Sequence, residues 1–212
     1  MFLVPSDSCD FGVVSPLGFG KKEILYSSAA LSAAKFLTDV RGLPLSDIEI
    51  ECSGSSFRIL RKNGRCGVAT DRFSFISSCR ELIRSAELKT TTLRSPLGKI
   101  KVCKADRLFS FCADVLPELT LSRDGDDIIG SVVFEEKEGE FYAVSHFCRT
   151  QGAAESFVTA VAVASCLYSS GRCGGFAITV RGTVYDIALS EYGLLVLDRH
   201  PAPLTLYAPD IE

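Results

Sequence analysis

Two stretches of this chain follow the same order of elements, and this internal duplication restricts the fold more than any other feature of the sequence. The first copy covers residues 26–72 and the second covers residues 159–199. In each copy a run of small and apolar residues leads to a glycine-bearing turn, a strand-like segment, a glycine-centred hairpin and further strands that end in Asp-Arg. The duplication predicts two similar structural units within one chain.

Each copy is associated with one segment that predicts a helix buried on all sides. Alanine, valine, serine and leucine cover most of the helical circumference in residues 27–40 and 155–169, so neither segment has a distinct polar face. Short segments rich in β-branched residues surround both helices and predict strands at 48–52, 56–60, 98–103, 128–135, 140–147, 177–181, 183–189 and 194–198.

These elements predict an α+β fold with two pseudo-symmetric domains, each a β-barrel-like antiparallel sheet wrapped around a central buried helix. We assign the first domain to residues 1–93 and the second to residues 94–212.

The composition excludes several classes of protein. With 47% hydrophobic residues, 23% charged residues and a net charge of −3, the chain is typical of soluble globular proteins. Acidic residues offset the basic cluster within residues 58–65, so we expect no nucleic-acid partner. The longest small and apolar run, residues 156–167, is too short to cross a membrane. Since no targeting signal opens the sequence, we expect a cytoplasmic protein with no membrane partner.

The nine cysteines and two histidines form no metal-binding or catalytic pattern. No CxxC pair occurs, so a zinc site is not indicated. Cys103, Cys112 and Cys166 stand in apolar segments, where free cysteine acts as a small buried hydrophobic residue. His146 and His200 have no evident nucleophile partner, which argues against a Ser/His/Asp triad. We expect neither a metal nor another cofactor.

The starts of the two predicted helices are candidates for anion binding. Ser27 and Ser28 stand at the start of the first helix, and residues 152–154 lead into the second. Free backbone N–H groups at such ends attract anions, which would place a ligand between the two halves of the chain. The alternative is that these residues are ordinary helix caps.

The order of these segments resembles that of diaminopimelate epimerase and its relatives, which include the proline racemases and the phenazine-pathway isomerases. The segment DFGVVSPLGFGKKEILYSSAALSAAKFL, residues 10–37, is similar to the strand, turn and catalytic helix of the family's first domain. GAAESFVTAVAVASC, residues 152–166, resembles the GAGE motif and the second catalytic helix. The resemblance implies two domains with a cleft between them, where the two helix N-termini converge.

The family's chemistry, as the resemblance implies it, uses two cysteines that open the two helices on opposite faces of the substrate Cα. These positions fall on Tyr26 and Thr159. A threonine hydroxyl is not usefully acidic near neutral pH and a phenol has a pKa of about 10, so we expect two-base racemisation to fail. The residues after these two positions are Ser27 and Ser28 in the first helix and Ala160 in the second. Their backbone N–H groups are the candidates for binding a substrate carboxylate. Their Cβ atoms, which the family's glycines lack, narrow this anion-binding site.

Three further residues correspond to substrate-binding positions of the family. Glu155 matches the GAGE glutamate, which the resemblance implies would hold a substrate ammonium group. The family's adjacent arginine is replaced by Gln151, with Arg149 as a stand-in. The alternative for Glu155 is ordinary stabilisation of a helix N-terminus. The Asn-Pro-His motif of the second domain has no counterpart within residues 101–113.

The opening segment of the family's first domain is also missing, so this domain needs another element to complete it. Either the terminal segment LTLYAPDIE returns to it or a second subunit covers the gap, and an exposed sheet edge there would favour dimerisation.

Two functions follow from the sequence. The first is a non-catalytic binding or assembly protein. Its partner would be an amino-acid-like or anionic ligand in the cleft, a second copy of the chain in a homodimer, or another protein. The alternative is an isomerase or epimerase acting on an amino acid or related small carboxylate, with Tyr26 or Glu155 as the base and Thr159 only orienting the substrate.

Overall fold

The computed structural model describes residues 2–14, 33, 36–37, 42, 47–52, 55–62, 65–83, 86–95, 98–108, 112–120, 128–148 and 153–198. These residues contain one 13-stranded sheet and two helices with described bounds, in addition to three helical residues within positions 33–37. The strands are β1 (Phe2–Val4), β2 (Phe11–Val14), β3 (Asp47–Cys52), β4 (Ser55–Lys62), β5 (Arg65–Thr70), β6 (Ser74–Ile83), β7 (Ala86–Ser95), β8 (Gly98–Lys104), β9 (Ile128–Lys137), β10 (Glu140–Phe147), β11 (Phe176–Val180), β12 (Thr183–Ser190) and β13 (Gly193–Asp198). The helices are α1 (Cys112–Thr120) and α2 (Ala153–Ser169).

The sheet has the order β1-β2-β3-β4-β5-β13-β12-β11-β10-β9-β8-β7-β6. Most neighbouring strands are antiparallel, as predicted, but β2 with β3, β10 with β11 and β8 with β9 are parallel. A parallel pair needs a crossover connection. Between β10 and β11 that connection contains α2.

The pairing of β3, β4 and β5 repeats in β11, β12 and β13. Ile50 pairs with Phe57 in the first set, and Ile178 pairs with Tyr185 in the second. Each residue of the second pair lies 128 positions after the equivalent residue of the first (50 to 178, 57 to 185). Val68 and Val196 have the same spacing (68 to 196) and pair directly with each other where β5 meets β13. The two copies of the duplicated sequence therefore meet edge to edge at the centre of the sheet.

The larger core surrounds α2, which packs against β6 through β12. Residues 155–168 of this helix are all buried, as the lack of a polar face predicts. From the first predicted helix the structure describes Ala33, Phe36 and Leu37. All three are helical, and Ala33 and Leu37 lie in the same core as α2.

A second, smaller core lies on the other side of the sheet, under α1. Val115, Leu116 and Leu119 of this helix pack against Cys103 of β8 and Val133 of β9. Strands β8 and β9 are consequently covered on both faces. The sequence analysis did not predict α1, and the boundary assigned between residues 93 and 94 falls within β7.

The strand β6 ends the sheet on one side. Three of the five large hydrophobic side chains exposed among the described residues belong to it, namely Phe75, Ile76 and Leu82. Neither α1 nor α2 is long and apolar enough to cross a membrane.

Candidate functional site

The second predicted helix start, at α2, is the part of the candidate site that the structure describes. The helix begins at Ala153, and Glu155 lies in its first turn. The two alanines that open α2 favour a helix, and a carboxylate in the first turn stabilises the positive helix end. These preferences explain why α2 starts two residues before the predicted segment.

Thr159 lies inside α2 rather than at its end. It is the seventh residue of the helix, about 9 Å along the axis from the first at 1.5 Å per residue. The resemblance implies that this position opens the helix, whereas in the structure α2 begins six residues upstream, at Ala153. Backbone N–H groups this far into a helix bond to carbonyl groups of the preceding turn.

The Thr159 hydroxyl is fully buried and has two partners within the protein. It donates to the Glu155 carbonyl at 2.7 Å and forms a 2.7 Å hydrogen bond with the Ser145 hydroxyl of β10. The next residue, Ala160, is also fully buried and belongs to the main core. In this structure both residues serve the packing of α2.

The Glu155 carboxylate is paired with an arginine that the sequence analysis did not identify. Arg181 Nη1 lies 2.9 Å from Glu155 Oε2, and the exposed fractions of the two side chains are 49% and 9%. A buried carboxylate loses its hydration, and a positively charged partner offsets that cost. Arg181 occupies the two-residue turn between β11 and β12, where it and Gly182 both have positive φ angles, 49° and 81°.

The sequence could not identify this pair or the Ser145 contact. An arginine followed by glycine between two strands is typical of a solvated hairpin turn. Ser145 is one serine in a strand whose buried and exposed residues alternate. Only the way in which α2 packs on β10 places it beside Thr159. Tyr26, Ser27, Ser28, Arg149 and Gln151 lie outside the described residues.

The buried cysteines do not replace the family's bases. Burial, with a smaller contribution from the Glu81 carboxylate, raises the pKa of the Cys103 thiol to about 11. Burial also raises the pKa of the Cys166 thiol. Both thiols are therefore protonated near neutral pH and poor nucleophiles, in agreement with the structural role predicted for them.

The fold resembles those of solved PhzF family proteins. The chain aligns with a phenazine biosynthesis PhzC/PhzF protein from Clostridium difficile strain 630 with a TM-score of 0.55 and 9% sequence identity, over 80% of this chain and 67% of that chain. A PhzF family protein from Enterococcus faecalis gives a TM-score of 0.53, 10% identity and the same coverage. A PhzF family protein from Bacillus anthracis gives 0.53 and 10%, over 93% of this chain and 79% of that chain.

At such low identity the likeness concerns the fold alone. The predicted fold class is confirmed in its coarser form, a mostly β structure with the fold of PhzF family proteins. No known family description matches the sequence, and no curated protein matches it.

Proposed function

We propose that this chain is a binding or assembly protein that has the fold of amino-acid epimerases without their catalysis. The observation that carries the proposal is the burial of Thr159, whose hydroxyl is used by Glu155 and Ser145. A residue that is 0% exposed and bonded within the core offers a substrate neither a base nor an open contact. Glu155 supports the same conclusion, because Arg181 occupies one oxygen of its carboxylate.

We also infer that the chain consists of two pseudo-symmetric units. The supporting observation is the shared register of β3–β5 and β11–β13, with Val68 opposite Val196 at the junction. Strands β6, β7 and β8 pair in succession, β8 pairs with β9, and all three contact α2. This arrangement favours a boundary near residue 73 over one near 93. A cleft between the units, as the resemblance implies, is where we place an amino-acid-like or anionic ligand.

The experiment that tests the absence of catalysis is Cα–H exchange in deuterated water, followed by NMR. The panel contains diaminopimelate, proline, hydroxyproline and histidine, with a proline racemase as the positive control. We expect no exchange above the buffer rate at high protein concentration. Exchange that disappears in Tyr26→Phe or Glu155→Gln would instead support the alternative, an isomerase or epimerase without cysteine chemistry.

For the assembly role we propose a second copy of this chain as the partner, with β6 as the contact. This strand ends the described sheet and exposes Phe75, Ile76 and Leu82, and open apolar edges favour strand pairing. Light scattering should show a mass that rises with concentration in the wild type and stays monomeric in Leu82→Lys. The matched control is Leu189→Lys, since Leu189 is an exposed leucine of β12. A monomeric wild type at every concentration would exclude this partner.

A further inference from the structure

The edge strand β6 can pair with a second copy of itself in only a few registers. It is ten residues long, it ends the described sheet, and its residues 74–80 are all exposed. Two identical strands that are related by a two-fold axis and continue one sheet run antiparallel, and each contact between them occurs twice. Facing residues of an antiparallel pair have their side chains on the same side of the sheet. The axis therefore passes beside a single residue, which faces its own copy.

The length of β6 restricts this axis to two positions. An axis beside Ser78 pairs residues 74–82 and an axis beside Cys79 pairs residues 75–83, which is nine of the ten residues in each case. Any other axis pairs seven residues or fewer, because one end of each copy then extends beyond its partner. The longer pairings satisfy more backbone N–H and C=O groups of the open edge. The register of β6 against β7 shifts only between Phe75 and Ser77, away from both candidate axes.

The exposed apolar side chains select the axis beside Cys79. In that register Ile76 faces Leu82, once on each side of the axis, so these exposed residues cover each other. The axis beside Ser78 would instead place each of them opposite a polar residue. Only the register centred on Cys79 therefore removes both apolar residues from water.

The charges of β6 are compatible with the same register. Arg80 and Glu81 then each face a serine, so no like charges stand directly opposite each other. Each charge also has a partner within its own copy, because Arg80 Nη1 lies 3.4 Å from Glu87 Oε1 and Lys101 Nζ lies 2.8 Å from Glu81 Oε1. Joining two copies leaves neither charge without a counterion.

We propose that two copies of this chain form one continuous sheet through antiparallel β6 strands, with the two-fold axis beside Cys79 and the two Cys79 side chains facing each other. The inference rests on the proposed assembly role and adds the register of that contact. Facing residues of antiparallel strands have Cα atoms about 4.5–5.5 Å apart, and disulfides span about 4.4–6.8 Å between Cα atoms. Because the Cys79 side chain is exposed, cross-linking through its thiol reports the register directly.

The test is brief oxidation with diamide, followed by electrophoresis without reductant. Two facing thiols form an S–S bond, and diamide takes up their two protons and two electrons to become the corresponding hydrazine. We expect a dimer band in the wild type that dithiothreitol removes. The band should disappear in Cys79→Ser and in Leu82→Lys. It should remain in the matched controls Cys173→Ser, which removes an exposed cysteine outside β6, and Leu189→Lys, which changes an exposed leucine of β12.

A displaced cysteine distinguishes the two candidate axes. In Ser78→Cys combined with Cys79→Ser, the proposed register places the introduced thiols at diagonal positions, with Cα atoms about 7–8 Å apart. This distance exceeds the disulfide range, so we expect no dimer band. A band in this double variant but not in the wild type would place the axis beside Ser78 and overturn the proposal.

Light scattering separates a wrong register from a wrong partner. If the wild-type mass rises with concentration and Leu82→Lys stays monomeric, but diamide gives no band that depends on Cys79, the register is overturned and the β6 contact stands. A band that Cys79→Ser leaves unchanged has the same meaning, since other cysteines then form the cross-link. A wild type that is monomeric at every concentration refutes the β6 contact and the register with it. Cα–H exchange would refute only the proposed absence of catalysis.

Discussion

Two of the ion-paired carboxylates in this protein differ in how deeply their cation is buried, and the comparison between them shows how a buried ion pair differs from a half-exposed one. Lys101 Nζ lies 2.8 Å from Glu81 Oε1, with 5% of the lysine and 19% of the glutamate side chain exposed. In the pair of Glu155 with Arg181, the exposed member is the cation. The two distances are alike, so burial of the cation is what separates the pairs.

The surroundings of Lys101 explain why this cation is buried. This lysine lies in the middle of β8, where its strand neighbours are Thr92 and Ser131, both buried. Glu81 also accepts a 2.8 Å hydrogen bond from Thr90. Moving Lys101 away would leave the Glu81 carboxylate without its cation, whereas half of the Arg181 side chain is already in contact with water.

The largest effect should come from Lys101→Ala. Removing one member of a buried ion pair leaves the other charge uncompensated, so we expect the free energy of unfolding to fall by about 3–5 kcal/mol. Urea unfolding measures the change. Lys101→Met combined with Glu81→Leu should recover much of the loss; a double variant as unstable as the single one would mean that the pair is not what Lys101→Ala disrupts.

A smaller loss is expected for Thr159→Val, which keeps the shape of the side chain and deletes its hydroxyl. The Ser145 hydroxyl would then lack a partner in the core, at a cost of about 1–2 kcal/mol. Denaturant unfolding again gives the value, with Thr159→Ser as the control that keeps the hydroxyl. No difference between the valine variant and the wild type would show that these hydrogen bonds contribute nothing net.

Removing the half-exposed cation, Arg181, should cost less stability than removing the buried one, Lys101. In Arg181→Ser the lost partner is half-exposed, but the Glu155 carboxylate that remains is largely buried, so we expect a loss of about 1–2 kcal/mol, below that of Lys101→Ala. A loss as large as that of Lys101→Ala would erase the distinction between the two pairs. The comparison is made by urea unfolding of both variants under one set of conditions.

The pH dependence of stability gives the smallest and most specific comparison. Burial opposes ionisation of Glu81, but hydrogen bonds from Lys101 and Thr90 outweigh it and hold the pKa of this carboxyl below its usual value. The ionised form therefore adds stability above the ordinary glutamate pKa of about 4.3, and this stability is lost as the pH falls through the lowered value.

Unfolding midpoints measured from pH 6 down to pH 3 test this assignment. Glu81→Gln should lose less stability over that range than the wild type, because it has no charge to titrate at this position. Parallel curves for the two proteins would remove Glu81 from the acid response. Glu136→Gln is the control for an exposed ion-paired carboxylate.

The sequence predicted best those strands that alternate between a buried and an exposed face. Residues 140–147 were predicted with the exact bounds of β10, because Phe141, Ala143 and Phe147 enter the core between more exposed neighbours. The strand β6 was missed because seven consecutive residues of it are exposed. A strand without a buried face carries no alternating pattern to detect.

The candidate site was less predictable than the fold. The family resemblance identified Glu155 and Thr159 as candidate site residues. The helix, however, begins at Ala153 and includes Ala154, so it starts two residues before the predicted start at residue 155. The contact with Arg181 joins a helix to a hairpin tip. Contacts of this kind depend on packing in three dimensions, which local periodicity does not record.

The junction between β5 and β13 has a consequence for how the protein is made. Val68 pairs with Val196, 128 residues later in the chain (68 to 196). At typical translation rates, the ribosome needs on the order of ten seconds to synthesise that interval. Throughout this time the nascent first half presents one side of β5 without its final partner. An open strand edge is a surface to which aggregates add, so the first half relies on β13, the last strand among the described residues, for its protection.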